Sequence, residues 1–112
     1  MATTSETDLA MVRGDTFAFA VEIEGLDEDL DTCFFSCKTA PTDTEYVFQK
    51  SLDNGITKVE TGKYRIRLAP EDTEDVNLGD YYYDVQIGLN SDIYTILRGK
   101  FAIVYDITRD EE

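Results

Sequence analysis

The chain of 112 residues contains no histidine and no tryptophan. Histidine is the commonest general base and a frequent metal ligand, so its absence removes the usual starting point for acid–base or metal catalysis. Neither cysteine has a histidine that could activate it as a nucleophile. The sequence also contains no glycine-rich phosphate loop and no nucleophile elbow. These absences predict a protein that is not an enzyme and carries no cofactor.

Basic residues are scarce, with 10 Lys and Arg against 24 Asp and Glu and a formal net charge of −14. Nucleic-acid binding depends on cations that neutralise phosphates, and anionic membranes repel an acidic surface in the same way. We therefore expect neither nucleic acid nor membrane as a partner. Copies of the chain should repel one another unless a specific patch overrides the net charge, which leaves a homo-oligomer open.

Long apolar runs are also missing. No stretch approaches the ~20 apolar residues that a spanning helix needs. The start, MATTSETDLA, lacks the basic residues and apolar run of a signal peptide, so we expect synthesis in the cytoplasm. The only cysteines, Cys33 and Cys37, share one predicted strand and would lie ~13 Å apart along it, beyond the ~7 Å that a disulfide allows. We expect two buried free thiols.

The pattern that is present is alternation of apolar and polar residues. It recurs at residues 16–24, 32–38, 63–69 and 80–89, and each run is typical of a half-buried antiparallel strand. Asn-Gly at 54–55 is the strongest hairpin signal, because both residues tolerate positive φ. Seven to nine short strands separated by turns are expected in total.

One segment, PEDTEDVN, favours a short helical turn near residues 70–77, with proline in the first turn and acids at its start. Together the elements predict an all-β chain that folds as an immunoglobulin-like two-sheet antiparallel β-sandwich. We expect one domain over residues 8–108, between a flexible N-terminal tail at 1–7 and an acidic C-terminal tail at 109–112.

Arg13-Gly14-Asp15 is the tripeptide that integrins bind on adhesive proteins. Integrin ligands present it at the tip of a protruding loop, whereas here it directly precedes the alternating run at residues 16–24. We interpret it as a tight turn, in which Gly14 supplies unusual φ and Asp15 caps backbone amides.

Asp27, Asp29 and Asp31 resemble the start of a calcium-binding loop. Such loops need glycine at the sixth position and a bidentate acid at the twelfth, where this chain has Thr32 and Lys38. The three aspartates are therefore only weak calcium candidates, and a solvated acidic loop is the preferred interpretation.

Four aromatic residues are candidates for partner binding. In the run at residues 80–89, Tyr82 faces the side opposite to its tyrosine neighbours, so it either forms an exposed surface or packs under a neighbouring loop. Tyr94 is a second candidate. Tyr46 and Phe48 belong to a short polar strand, EYVFQKS, which we expect at a sheet edge suited to docking.

Three segments resemble a small β-sandwich domain of tailed phages and prophages: VRGDTFAFAVEI, GKYRIRLAPEDTEDVNLGDYYYDVQI and YTILRGKFAIVYDIT. That domain occurs at the N-terminus of upper baseplate and tail-fibre proteins and as short stand-alone chains. The shared pattern is a Gly-Asp turn, an L-x-P-E-D-T connector, a G-x-Y-x-Y-D-V strand and a closing G-x-F-x-V-x-x-D-[IV]-T strand. The matching residues are Gly14, Asp15, Leu68, Pro70, Glu71, Asp72, Thr73, Gly79, Tyr81, Tyr83, Asp84, Val85, Gly99, Phe101, Asp106, Ile107 and Thr108.

The resemblance implies a non-enzymatic structural or assembly protein of a phage tail or baseplate, incorporated in the virion or acting in its assembly. Its partners would be other phage structural proteins, bound through exposed strand edges or tyrosines. A second hypothesis is a ligand-binding module that uses Tyr82 and Tyr94 for a carbohydrate, with calcium bound by the acidic loop.

Overall fold

The computed structural model describes residues 5–105, apart from the side chain of Ser5. The chain is all-β with an immunoglobulin-like sandwich fold, as the sequence predicted, and contains one helical turn. The elements are β1 (Ser5–Glu6), β2 (Leu9–Val12), β3 (Phe17–Glu22), β4 (Thr32–Lys38), β5 (Phe48–Leu52), β6 (Gly55–Glu60), β7 (Lys63–Leu68), α1 (Pro70–Thr73), β8 (Gly79–Leu89) and β9 (Asp92–Val104).

The strands form one continuous hydrogen-bonded path in the order β1-β9-β8-β4-β5-β6-β7-β3, and β2 also pairs with β9. The β5–β6 pair is short and parallel, and it is the point at which the path folds over. As a result β6, β7 and β3 form a small sheet that packs across the larger sheet of β9, β8, β4 and β5. Ring contacts cross this gap: Phe17 lies 5.7 Å from Phe101, and Phe19 lies 5.7 Å from Phe35, between ring centroids.

The core between the sheets consists of the inward-facing residues of each alternating strand. In β7, Tyr64, Ile66 and Leu68 are at most 1% exposed, whereas Arg65 and Arg67 between them are exposed. The hydroxyl of Tyr64 accepts a hydrogen bond from the Leu30 N–H at 3.0 Å, which satisfies a polar group inside the core. The alternation read from the sequence thus identifies the buried face of this strand correctly.

Cys33 and Cys37 are buried free thiols in β4, as the sequence predicted. Burial disfavours the thiolate and raises the pKa of Cys33 to about 11 and that of Cys37 to about 12. Both side chains therefore act as small apolar residues of the core.

The N-terminal segment differs from the expected tail. Glu6 in β1 pairs with Arg98 of β9, and β2 continues the same parallel pairing. The tail predicted at residues 1–7 therefore ends at least two residues earlier. Residues 1–4, the predicted tail at 109–112, and Asp106, Ile107 and Thr108 of the phage-like pattern lie outside the described residues.

Arg13-Gly14-Asp15 forms the turn between β2 and β3, which belong to different sheets. Gly14 is buried with φ of 82°, and its N–H donates a 2.9 Å hydrogen bond to the hydroxyl of Thr73 in α1. The Arg13 guanidinium donates to the carbonyl of Val76 at 3.4 Å. The tripeptide is therefore a structural turn tied to the helical connector, as expected, and not a protruding loop.

One local prediction was wrong. The Asn-Gly pair does not form an antiparallel hairpin, since β5 and β6 pair in parallel and positive φ falls on Asp53 and Gly55. The short helical turn predicted near residues 70–77 is present and covers Pro70–Thr73. Between residues 5 and 105, no helix is long and apolar enough to cross a membrane.

Candidate binding groove on the outer face of the large sheet

A depression of about 740 Å³ lies on the outer face of the large sheet. Its floor is made by outward-facing residues of β4 and β8. One wall is the loop at residues 39–47, and the other is β9 with the N-terminal residues 6–8. We call this depression the groove.

Alternation in β8 determines which side chains reach the groove. Tyr81, Tyr83 and Val85 face the core and are buried, so the residues between them face outward. Tyr82 is 37% exposed, and Asp84 is half-buried beside it. The floor strands β8 and β4 are each paired on both sides. A ligand in the groove must therefore be recognised by side chains and not by free backbone groups of the floor.

The first row of side chains across the floor places a tyrosine between two lysines. Tyr82 is in register with Lys38 on β4 and with Lys100 on β9. The Lys38 ammonium also lies 5.1 Å from the ring centroid of Tyr46, which is 49% exposed in the loop wall. This cation–π contact holds the loop tyrosine over the floor. The row therefore offers two aromatic faces with cations beside them.

The second row centres on a carboxylate. Asp84 is in register with Ser36 on β4 and with Arg98 on β9. Partial burial raises the pKa of Asp84, and the charge of Lys38 opposes that rise. The Ser36 hydroxyl accepts a 2.9 Å hydrogen bond from the Gln49 side chain, which fixes the amide at the groove margin.

The remaining acids of the groove already have partners. The Glu6 carboxylate forms a 3.0 Å ion pair with Arg98. The Asp8 carboxylate accepts a 3.0 Å hydrogen bond from the backbone N–H of Lys100. The groove thus contains three acidic and three basic side chains, in contrast to the chain as a whole with its excess of acids. A neutral or mixed-charge ligand fits this surface better than a polyanion or a polycation.

The structure places two of the four predicted aromatic candidates in the groove. Tyr82 and Tyr46 are exposed there, and Tyr82 does not pack under a neighbouring loop. Tyr94 and Phe48 are partly buried against the hydrophobic core, and their role in partner binding stays a prediction. The Phe48 ring lies 5.8 Å from that of Phe35 and 5.9 Å from that of Phe101, so the alternation of β5 turns it inward.

The acidic loop lies apart from the groove and engages other residues. The Lys58 ammonium forms a hydrogen-bonded ion pair with the Asp29 carboxylate. The hydrogen bond to Asp29 raises the pKa of Lys58. Asp31 accepts a 2.9 Å hydrogen bond from the Asn90 N–H. Over the described part of the chain, no group of three or more acidic, cysteine or histidine side chains is arranged to hold a metal ion.

Lys38, Asp84 and Arg98 were not predicted as binding-site residues from the sequence. The alternation of residues 80–89 places Asp84 on the same face as Tyr82, so this residue could have been found. Lys38 and Arg98 could not, because they reach the groove through the cross-strand register of β4 and β9 with β8. Period-two alternation identifies a face but not the neighbouring strand.

No protein-family model matches the chain, and a search of characterised proteins found no significant match. Solved structures with similar folds include the extracellular domain of the voltage-gated sodium channel beta4 subunit, described as a parallel homodimer in cell–cell adhesion. It aligns with a TM-score of 0.50 and 14% identity over 96% of this chain and 98% of that one. At this identity the similarity shows the fold alone, an immunoglobulin-like sandwich.

A second similar structure is a candidate glycoside hydrolase from Bacteroides vulgatus, with a TM-score of 0.49 and 14% identity. The alignment covers 89% of this chain but only 17% of that protein, so the chain spans less than a fifth of its length.

Proposed function

We propose that the chain is a non-enzymatic structural or assembly module of a phage or prophage tail or baseplate, and that it binds a partner protein in the groove. The sequence resemblance supports the role in a phage tail or baseplate, and the groove is the surface that would bind the partner. The observation that carries the proposal is the pair of exposed tyrosines in the groove, Tyr46 and Tyr82, with the Lys38 ammonium against the Tyr46 ring.

The chemistry of the groove suits binding better than catalysis. Exposed tyrosines beside satisfied polar groups are typical of the central residues of protein interfaces, where large aromatic rings provide most of the contact. A partner side chain that enters between the two rings would bury both tyrosines while Asp84 and the lysines fix its orientation. Truncation of either tyrosine should therefore weaken binding more than truncation of the surrounding polar residues.

The test is binding between this chain and each product of the tail and baseplate genes that neighbour its own gene, measured with purified proteins by calorimetry. For the partner that binds, we expect Tyr82→Ser and Tyr46→Ser each to weaken binding by about 2 kcal/mol or more, as is usual for interface hot spots. Ile93→Ser is the matched control, since Ile93 is 64% exposed and lies outside the groove.

Equal losses for Ile93→Ser and the tyrosine variants would contradict the groove as the docking site. If none of the neighbouring gene products binds, the proposed role in a tail or baseplate is wrong. If one binds and no groove variant weakens the binding, that role is supported but the interface lies outside the groove.

A carbohydrate is the second candidate for the groove. The observation that favours it is the set of planar polar side chains, Asp84, Gln49 and Gln86, beside the tyrosines. Such groups donate and accept hydrogen bonds with sugar hydroxyls, and tyrosine rings stack on the apolar faces of sugars. Retention on a glycan array that Tyr82→Ser abolishes, together with no partner among the tail proteins, would favour this candidate.

A further inference from the structure

Among the described strands, β3 forms an edge of the small sheet. In the strand order β3 is the last strand beyond β7, and within residues 5–105 no strand pairs with its other edge. Its pairing with β7 is regular from Phe17 to Glu22, without a bulge. It also contains no proline and no lysine, which are the usual means of blocking an edge. The edge is therefore open to another strand.

The inner face of this strand is incompletely covered. Phe17 and Phe19 point toward the core and contact Phe101 and Phe35, yet both remain half-buried. Their exposed parts lie at the open side of the sandwich, because β3 is its last strand on that side. A strand added to β3 would cover this apolar surface, and the burial would favour association.

The outer face of the small sheet carries two arginines, Arg65 and Arg67. Over residues 5–105 the side chains of Arg65 and Arg67 make no hydrogen bond or ion pair. In the sheet register Arg65 lies between Ala20 on β3 and Thr57 on β6, and Arg67 lies beside Ala18 on β3. All of these neighbours are small and uncharged, although acids outnumber bases more than twofold in the chain.

The neighbouring row of the same face is different. Lys63 lies between Glu22 on β3 and Glu60 on β6, and its ammonium is 3.9 Å from the Glu22 carboxylate. That carboxylate is still largely exposed, since the Glu22 side chain retains 73% of its accessible surface. Glu22 thus lies on the edge strand β3, and Arg67 lies on the adjacent strand β7, two rows away along the same face.

We propose that β3 pairs edge to edge with β3 of a second copy of this chain, in antiparallel orientation about a twofold axis at Ala20. In this register residue 18 of one copy lies opposite residue 22 of the other. The partner's Glu22 then lies beside Ala18, with Arg67 on the next strand beyond it.

The spacing allows the charged groups to meet. Adjacent strands are ~4.8 Å apart, so the backbones of Arg67 and of the partner's Glu22 are ~10 Å apart, with only a methyl side chain between them. An arginine and a glutamate together bridge that gap. The twofold axis forms the contact twice, as an isologous interface requires. The two small sheets become one sheet of six strands, and the four half-buried phenylalanines meet beneath it.

The net charge of −14 opposes any association of two copies. At physiological ionic strength, however, charges more than ~8 Å apart are largely screened. Local complementarity at the edge therefore outweighs the remote acids at moderate salt, and the dimer should weaken as the salt concentration falls.

The test is the solution mass of the purified chain by light scattering and sedimentation equilibrium, over a concentration series at about 0.15 M salt. We expect the mass to rise with concentration from the 12.7 kDa of one chain to twice that value. Ala20→Lys places two lysines opposite each other on the axis, next to Arg65. It should raise the dimer dissociation constant at least tenfold.

Thr57→Lys is the matched control. It adds the same charge on the other side of Arg65, away from the edge, and changes the net charge equally. We expect it to leave the dimer intact. Arg67→Glu should also weaken the dimer, and Glu22→Arg added to Arg67→Glu should restore it, because the exchanged charges again face each other. Circular dichroism and thermal unfolding show that each variant is folded.

A wild-type chain that stays monomeric throughout the series would overturn the proposal. Equal effects of Ala20→Lys and Thr57→Lys would also overturn it, since the edge would then not be the interface. The groove lies on the other sheet, so Tyr82→Ser should leave the dimer unchanged. The groove as docking site and the β3 edge as dimer interface are therefore tested independently.

Discussion

At the scale of single residues, Asp84 is the side chain whose environment departs most clearly from that of a surface carboxylate. It is half-buried in the groove floor, and partial burial raises its pKa while Lys38 opposes the rise. Glu6 and Asp8 in the same groove have direct hydrogen-bond partners. Asp84 is therefore the groove acid whose charge costs the folded state free energy, and a partner that supplies a cation or a donor would remove that cost.

Asp84→Asn tests this difference through its pH dependence. A carboxyl whose pKa is higher in the folded than in the unfolded state lowers the free energy of unfolding as the pH rises through its raised pKa. At neutral pH we expect the variant to be more stable than the wild type, by less than ~1 kcal/mol because solvent still screens this site. The advantage should disappear as the pH falls below ~4, the ordinary pKa of an aspartate.

Chemical denaturation of both proteins at several pH values measures this effect. Asp80→Asn removes an equal charge from an exposed position on the same strand, so it reports the general effect of reducing the net charge. If Asp84→Asn is less stable than the wild type at neutral pH, the charge of Asp84 stabilises the fold through Arg98 or Lys38, and our interpretation is wrong.

At the scale of secondary-structure elements, the backbone between β1 and β2 approaches β9 closely at Gly99. A Cβ atom on Gly99 would lie 2.2 Å from the Thr7 carbonyl oxygen and 2.8 Å from its carbon. The Tyr83 hydroxyl donates a hydrogen bond to the same Thr7 carbonyl. The passage from β1 to β2 along β9 therefore requires a residue without a side chain at position 99.

Gly99→Ala should push the N-terminal segment away from β9, because the clash is with backbone that cannot rotate out of the way. We expect a loss of ~1–3 kcal/mol in the free energy of unfolding, the range typical of overpacking. For a domain of this size each 1 kcal/mol corresponds to roughly 4–8 °C in Tm. Thermal unfolding measures the loss, and Lys100→Ala, at the exposed next position, is the control.

Hydrogen exchange adds a local readout to this comparison. The amide of Thr7, which donates to the Arg98 carbonyl at 2.9 Å, should exchange faster in Gly99→Ala than in the wild type. An unchanged Tm together with unchanged protection of this amide would show that the segment shifts without cost, contrary to the expectation.

Strand identity could be predicted from the sequence more reliably than strand pairing. Alternation in residues 63–69 gave the buried face of β7 correctly, because that pattern is set by the strand's own geometry. The pairing of β1 and β2 with β9 joins residues more than 90 positions apart, and local patterning contains no information about it. The Asn-Gly prediction failed for a related reason, since the β5–β6 connection has to carry the chain between sheets and is not free to form a hairpin.

The candidate site was predictable only in part for the same physical reason. The phase of β8 placed Tyr82 outside, and the structure agrees. That Phe48 and Tyr94 pack against the core could not be predicted, because short or irregular segments leave the phase of the alternation open. The flanking of Tyr82 by Lys38 and Lys100 depends on the register of three strands, which only the folded chain reveals.

At the scale of the whole molecule, charge is unevenly distributed. The acids and bases of the groove are equal in number. The net charge of −14 is therefore carried by residues outside the groove. The ion pairs Lys58–Asp29, Lys63–Glu22 and Arg98–Glu6 are exposed to solvent, whereas Lys50–Asp72, at 2.8 Å, is mostly shielded from water. Exposed pairs of this kind contribute little to stability.

Repulsion among the excess acids should therefore outweigh attraction within the ion pairs, so added salt should stabilise this chain. We expect Tm at neutral pH to rise as sodium chloride is raised from low concentration to about 0.15 M, where the screening length has fallen to ~8 Å. The same series near pH 4.1, the sequence pI, is the control. Repulsion is then nearly absent, and salt should change Tm little.

A fall in Tm with salt at neutral pH would mean that the exposed pairs, Lys58–Asp29 among them, contribute more than the repulsion costs. Ala20→Lys, which is monomeric in our proposal, should show the same rise as the wild type at low protein concentration, and this separates the folding effect from dimer formation.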